Sequence, residues 1–303
     1  MCKKLLFLCC FFLVQAMATS VFSDVTVPAM FSDHTVLQRR IPVPVWGTAS
    51  PGDNVTVTFG DQTHTATASA GGDWWVELDP MEASVSSSDM VITDSSNNVL
   101  TITDVQVGEV WFGGGQSNMQ RPLSGDCDAA AAIADAENYN MRFFNVTASG
   151  GNVENTVWQV SDAGTASDMS AVHFYFGRHL AREMVDVPIG LITSAVSGTA
   201  IEKWATCAGS GGLYTSRVVP LQPYAIRGAT WYQGEWDARG EKDASKYYDQ
   251  LPCLIDEWRS DWQSGLFPFY IVQMPKMGIN SIHIVRDAEL HTALADPLVE
   301  MIV

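Results

Sequence analysis

A parallel α/β sheet with helices on both faces, preceded by a β-sandwich, is the architecture this sequence predicts, and three observations carry the prediction. From residue 25 to 104, short alternating runs follow one another between turn formers. From residue 105 to 303, strand-like runs alternate with helical ones, which is the pattern of a sheet covered on both faces. The chain has 303 residues, 47% of them hydrophobic and 17% charged, which is enough for two folded domains.

Residues 1–18, MCKKLLFLCCFFLVQAMA, set Lys3 and Lys4 before an apolar run and Ala16-Met17-Ala18 after it. This is the pattern of a cleaved signal peptide, since a bilayer span needs an apolar run of about twenty residues. A secreted or periplasmic protein is expected, with no membrane attachment after cleavage. In 25–104 the runs VPVPVWG, NVTVTFG, THTATAS, WWVELDP, MVITDSS and NVLTITD lie between turn formers such as Pro51-Gly52-Asp53-Asn54, as the strands of a sandwich do. In 105–303, VGEVWFGG, MRFFNV, VPIGLITSAVSG, YAIRGATWYQGE and FPFYIVQMP read as strands. DAAAAIADAEN, MSAVHFYFGRHLAREM, SKYYDQLPCLIDEW and VRDAELHTALA read as helices. Tyr247, Tyr248, Leu251, Leu254, Ile255 and Trp258 share one helical face, with a kink expected at Pro252.

The formal charge of −17 repels phosphate backbones, so nucleic acid is excluded as a natural partner. No metal cluster, flavin or nucleotide motif implies a cofactor. If the signal peptide takes Cys2, Cys9 and Cys10, then Cys127, Cys207 and Cys253 remain; one disulfide is possible, but buried free thiols are the expected state. Asn54-Val55-Thr56 and Asn145-Val146-Thr147 are glycosylation sequons.

The stretch GGGQSNM, residues 113–119, closes the first strand of the α/β region, where such sheets carry their chemistry. It lacks the Lys-Ser/Thr of a phosphate loop and the last glycine of a dinucleotide fingerprint. It also lacks the final glycine of a G-x-S-x-G elbow. What remains is Ser117 at a strand-to-helix turn, either a helix N-cap or a nucleophile whose own N–H stabilises an oxyanion.

GQSNM, IGLITSAVSGTAIEKW (189–204) and WYQGEWDA (231–238), with MFSDHTVLQRRIPVPVWGTASPGDNVTV and VRDAEL, resemble the sialate O-acetylesterase family, a carbohydrate-esterase branch of the SGNH hydrolases. The resemblance implies an SGNH-type, flavodoxin-like sheet and hydrolysis of O-acetyl groups on sialic acid or an acetylated polysaccharide. It makes Ser117 the nucleophile, gives the oxyanion a backbone N–H from Gly198 and assigns it the side-chain amide of Gln233. Ser197-Gly198 stands where members usually have Gly-Gly, and Trp236-Asp237 where many have Ser-Asn. Asp237 is expected on the pocket wall, and Glu235 either orients the Gln233 amide or caps a strand end. Arg121 is expected to pair with a sialate carboxylate or to be a solvated helix residue.

The resemblance also implies a general base in a D-x-x-H block, which is expected beyond Val303; a C-terminally shortened, weakly active or inactive protein with an exposed sheet edge is therefore expected. Asp61-Gln62-Thr63-His64 falls in a sandwich hairpin and is read as a coincidence of spacing. His173 and His179 suit helix packing, and His34 a loop of the sandwich. Asp287 and His291, four apart on a helix, suit a surface ion pair better than a substitute dyad. The rival reading is a non-catalytic glycan-binding or accessory protein using Trp46, Trp74 and Trp75; a peptidase or lipase lacks the G-x-S-x-G context.

Overall fold

A computed structural model describes residues 24–147 and 150–302. The signal peptide expected at 1–18 lies outside these residues, as do Cys2, Cys9 and Cys10. The first strands are β1 (Val36–Gln38), β2 (Val43–Thr48), β3 (Asn54–Phe59), β4 (Gln62–Thr67), β5 (Asp73–Leu78), β6 (Ser84–Thr93) and β7 (Val99–Gly115). β2 pairs antiparallel with β5, while β4, β3, β6 and β7 pair antiparallel in that order and β1 runs parallel to β7. Alternation in the sequence becomes alternation of burial: β5 turns Trp74, Val76 and Leu78 inward and leaves Asp73, Trp75 and Glu77 outside. Val43 and Val45 of the two-stranded sheet meet Val55, Val57 and Ile92 of the other in one apolar core. Short strands with this periodicity bury one face each and stack.

β7 is 17 residues long and belongs to two sheets. Val99 to Val107 pair with β6, and Glu109 to Gly115 pair with strands of the second sheet. The expected boundary at residues 104 and 105 therefore falls inside a strand.

The remaining strands are β8 (Met141–Asn145), β9 (Trp158–Val160), β10 (Ile189–Ala195), β11 (Gly228–Tyr232), β12 (Phe269–Val272) and β13 (Val299–Ile302). Across the sheet the order is β13-β12-β11-β7-β10-β8-β9. All neighbours are parallel except β8 and β9. Counted in chain order from β7, the parallel strands lie 2-3-1-4-5-6, a variant of the flavodoxin-like 2-1-3-4-5 order. The chain winds to one side of β7 and then to the other, so the reversal that opens a crevice lies at β7.

The helices are α1 (Ser117–Gln120), α2 (Ala129–Ala134), α3 (Ala171–Glu183), α4 (Gly212–Arg217), α5 (Glu241–Trp262) and α6 (Ile282–Ala295). Successive strand side chains divide the core between two faces. Trp111, Met141, Phe143 and Leu191 pack with Phe174 of α3, whereas Phe112, Phe144, Ile192 and Trp231 pack with Leu254, Trp258 and Trp262 of α5. α5 runs through Pro252, and of its expected apolar face Tyr247, Leu251, Leu254, Ile255 and Trp258 are buried, with Tyr248 half-buried at the edge.

The expectation of buried free thiols is overturned. Cys207, in the loop after β10, is disulfide-bonded to Cys253 of α5 across a Cα separation of 6.1 Å, and Cys127 is exposed. Spacing in the sequence carried no sign of this pairing, because the two residues meet only once α5 has packed against that loop.

Candidate active site

Three loops meet at the carboxyl ends of adjacent strands β10, β7 and β11. Hydrogen bonds stitch them together: Val196 N–H to Gly115 O at 3.1 Å, Gln116 N–H to Tyr232 O at 3.1 Å, and Ser197 N–H to Gln120 Oε1 at 2.7 Å. The glycine run is not a loop that admits substrate. Gly113, Gly114 and Gly115 are buried strand residues, and the place of a side chain is already taken. A Cβ on Gly113 would lie 2.8 Å from the His173 ring, one on Gly114 2.8 Å from Trp258, and one on Gly115 2.2 Å from Tyr232 O. Gly115 also has φ +146°, a conformation that disfavours side chains. The glycines let β7 come close to its neighbours and turn sharply into Ser117.

Ser117 is the first residue of α1, with Gln116 as the N-cap. Its hydroxyl is therefore not used for capping. The residue is exposed, and its one side-chain partner is Gln116 Nε2 at 3.5 Å. At the start of a helix its N–H has no intrahelical acceptor. Gly198 has φ +68°, and a Cβ there would lie 3.6 Å from the Trp236 ring, so the indole stands beside it. Trp236 is 41% exposed, with the Arg239 guanidinium 4.0 Å above the ring.

Gln233 differs from expectation. It is fully buried, and Nε2 lies 3.1 Å from Gln116 Oε1, 2.8 Å from Thr199 O and 2.5 Å from Asp237 Oδ2. Its Oε1 accepts from Tyr247 at 2.9 Å. An amide with two hydrogens is thus committed to three protein acceptors and fixes the turns instead of facing an open pocket. Gln116 Oε1 accepts from Trp236 N–H as well, at 3.3 Å.

Asp237 lines the small cavity beside Trp236 as expected, and it also takes the role expected of Glu235. Asp237, not Glu235, orients the Gln233 amide; Asp237 is 4% exposed, also accepts from Ile201 N–H at 3.2 Å, and burial pushes its carboxyl up to about 6. Glu235 instead accepts from Asn118 Nδ2 at 2.6 Å, and burial raises its carboxyl above the usual range. Arg121 caps the end of α1 and is exposed, with its guanidinium turned onto Gly125 O at 3.0 Å through Nε. Its pairing with a sialate carboxylate thus has no preset geometry.

None of the six histidines hydrogen-bonds to Ser117. His173 is buried, bonded to Thr193 Oγ1 at 2.8 Å and held down to about 3 by burial. His34 pairs with Asp104 at 2.7 Å, and His64 lies 3.8 Å from Asp79. The expected ion pair of Asp287 and His291 is not made: Asp287 accepts the Tyr248 hydroxyl, and His291 sets its ring edge-on to Tyr248. Both share Tyr248 because it projects from α5 onto the exposed face of α6.

Sequence reasoning missed Gln116 and Asn118 as parts of the site and Glu289 as a buried acid behind it; Trp236 stands at the pocket wall where the Trp236-Asp237 departure pointed. Gln116 and Asn118 flank the serine in GQSNM, and Glu289 lies within VRDAEL. The signal for Glu289 was an acid on the buried face of a helix. No group of three or more metal-ligating side chains stands together among the described residues.

A cavity of about 420 Å³ lined by Arg39, Glu109 and Arg227 lies at the other end of the strands. Arg39 and Arg227 are engaged with Glu109, at 2.5 and 3.6 Å, and Arg40, also on the cavity wall, with Glu82 at 2.9 Å. Chemistry in a parallel sheet belongs at the carboxyl ends, where a smaller cavity of about 120 Å³ opens beside Trp236, Asp237 and Glu202.

Residues 107–303 match the family model for the carbohydrate esterase, sialic acid-specific acetylesterase domain. The chain belongs to this family. It is 27% identical over 325 residues to the sialate O-acetylesterase of Rattus norvegicus, covering 81% of this chain and 59% of that protein. It is 30% identical over 280 residues to that of Homo sapiens, covering 76% and 53%. The chain thus spans a little over half the length of these curated relatives. The crystal structure of a carbohydrate acetylesterase from Xanthomonas citri superposes with a TM-score of 0.83 at 31% identity, covering 91% of this chain and 68% of that one.

Proposed function

We propose that the protein hydrolyses O-acetyl esters on carbohydrates, of acetylated sialic acid or an acetylated polysaccharide, through an acetyl-enzyme on Ser117. One observation carries the reading: an exposed serine hydroxyl, unused as a cap, stands on the turn where the winding of the sheet reverses, with its own N–H open. Family membership supports the ester chemistry. In this reading Ser117 Oγ attacks the acetyl carbonyl, and the N–H groups of Ser117 and Gly198 receive the developing oxyanion. Each such donor is worth about 3 kcal/mol in other hydrolases. Gln233 and Asp237 hold Gln116, and Trp236 offers an apolar wall to the sugar ring.

No histidine hydrogen-bonds to the hydroxyl among the described residues, so catalysis by these residues alone is expected to be slow, with only the roughly 10³–10⁴-fold advantage over water that survives loss of a triad member. The test is hydrolysis of a chromogenic acetate ester. Slow, saturable turnover lost in Ser117→Ala supports the reading, and turnover unchanged in Ser117→Ala ends it. Fast turnover abolished by His291→Ala would return His291 to the role of base. The Cys207–Cys253 disulfide supports an oxidising compartment, secreted or periplasmic.

A glycan-binding role has one observation in its favour. Trp75 is 43% exposed, stacked 5.9 Å from Trp46, and lines a cavity of about 260 Å³ with Pro42, Pro44 and Glu77. Trp74, at 2% exposed, belongs to the core. Retention on acetylated polysaccharide that is lost in Trp75→Ala, without cleavage, would support this second role.

A further inference from the structure

Behind the serine turn lie two carboxyls that the reaction does not use. Glu235 Oε1 accepts from Asn118 Nδ2 at 2.6 Å, and Oε2 of Glu289, from α6, accepts from the Met274 N–H at 3.1 Å. The other oxygen of each, Glu235 Oε2 and Glu289 Oε1, is buried with no hydrogen-bond partner among the described residues. Two orphaned acceptors with the same sign of charge are an unstable arrangement when buried. The groups around them do not resolve it. Tyr247 donates to Gln233, and Arg286 places its guanidinium on Met274 O at 2.8 Å and Gln273 Oε1 at 2.9 Å. Tyr232 feels both charges, which together with burial raise its hydroxyl.

A single proton resolves both orphans at once, because a protonated carboxyl donates where an ionised one only accepts. We propose that Glu289 carries this proton and donates it to Glu235, so that the two carboxyls form one unit that holds Asn118, and through it the Ser117 turn. Glu289 is the proton carrier because it is the more enclosed of the two, at 0% exposed, and it makes no bond to a side-chain donor. Burial first and the charge of Glu235 second push its carboxyl up to about 8, against the pull of Arg286 and the Met274 N–H. Glu289 is therefore a positioning residue and touches no substrate.

The sign of the pH dependence follows. A group whose proton is held more tightly in the folded state gives stability that is complete below its unfolded value, 4.5, and lost as pH rises through about 8. His173, held down to about 3, works in the opposite direction below 6.5, and Asp237 acts below about 6. The interval from pH 6.5 to 8 is thus left to the carboxyl pair, in which Glu289 has the value near 8 and Glu235 is raised as well.

The experiment uses the 303-residue protein and three readouts that need no turnover. Infrared spectra at pH 7 should show a protonated-carboxyl stretch that Glu289→Gln removes. The unfolding midpoint of the parent should fall from pH 6.5 to about 8 and level off above it, while that of Glu289→Gln, whose amide keeps a donor, stays level. The side-chain amide of Asn118, followed with ¹⁵N-asparagine, should shift at the same pH as the parent's stability. Should Glu289→Gln not fold, Glu235→Gln serves: with the like charge gone, the pH at which the fall ends should move lower. No protonated stretch with parallel pH profiles, a midpoint unmoved in Glu235→Gln, or a fall governed by added divalent cation would overturn the proposal. A stationary Asn118 would overturn its link to the serine turn. The proposal rests on the Ser117 reading only for its consequence in catalysis, and failure of ester hydrolysis alone would leave these readouts intact.

Discussion

Two buried acidic neighbourhoods support the same serine turn, and they are built in opposite ways. On the β10 side, Asp237 Oδ2 takes hydrogen bonds from Gln233 and Ile201, and Gln233 passes the order on to Gln116. On the α6 side, Glu235 and Glu289 each keep a buried oxygen with no hydrogen-bond partner among the described residues. A saturated network sets a geometry and holds it, since every change in it strands a buried polar atom. A pair short of one proton is sensitive to conditions instead. The difference teaches that the two sides respond in separate pH ranges, the Asp237 side below about 6 and the Glu289 side up to about 8.

The comparison breaks most severely where the saturated side is stapled. Reducing the Cys207–Cys253 bridge, which closes a 46-residue separation, should cost about 4 kcal/mol by loop entropy, read as a lower midpoint in denaturant with and without reductant. Asp237→Ala, which strands the Ile201 N–H and leaves the Gln233 amide only Gln116 and Thr199 as acceptors, should cost about 2 kcal/mol, while Asp237→Asn, which keeps an acceptor, should recover more than half of that. Acid should sharpen the contrast next: between pH 6.5 and about 3 the parent should lose stability as the buried His173 is forced to take a proton, and His173→Phe should flatten that limb of the thermal profile. Arg121→Ala should leave the unfolding midpoint unchanged, because its guanidinium only folds back on an exposed loop. Equal rates of the variant and parent on neutral and sialate acetyl esters would remove Arg121 from substrate recognition.

Much of the architecture was legible in the sequence because its signals are local. Alternation in DWWVEL becomes a strand with alternating burial, and the apolar spacing of Tyr247, Leu251, Leu254 and Trp258 becomes the buried face of α5. The position of Ser117 was legible because a strand end followed by a polar turn marks chemistry in this class of sheet. What was not legible depends on meetings between distant segments. The partners of Gln233 come from Gln116 and Thr199, and nothing in QGEWD says that its amide will be consumed by them. The same is true of Cys207 with Cys253, and of Tyr248 taking Asp287 away from His291. Short strands β1 and β9, of three residues each, carry too little periodicity to be seen at all.

The 17-residue β7 makes the serine answerable to the sandwich. Its first half is gripped by β6 and its last residue precedes the Gln116-Ser117 turn, so a slip of one pairing position near Val99 would carry the nucleophile about 3.3 Å along the sheet and flip every intervening side chain. Deletions in the early hairpins are thereby transmitted to the hydroxyl as displacement. A cut between residues 104 and 105 would divide the strand at its one irregular stretch, where Asp104 takes φ +55° and the pairing with β6 shifts, leaving neither half with its own end.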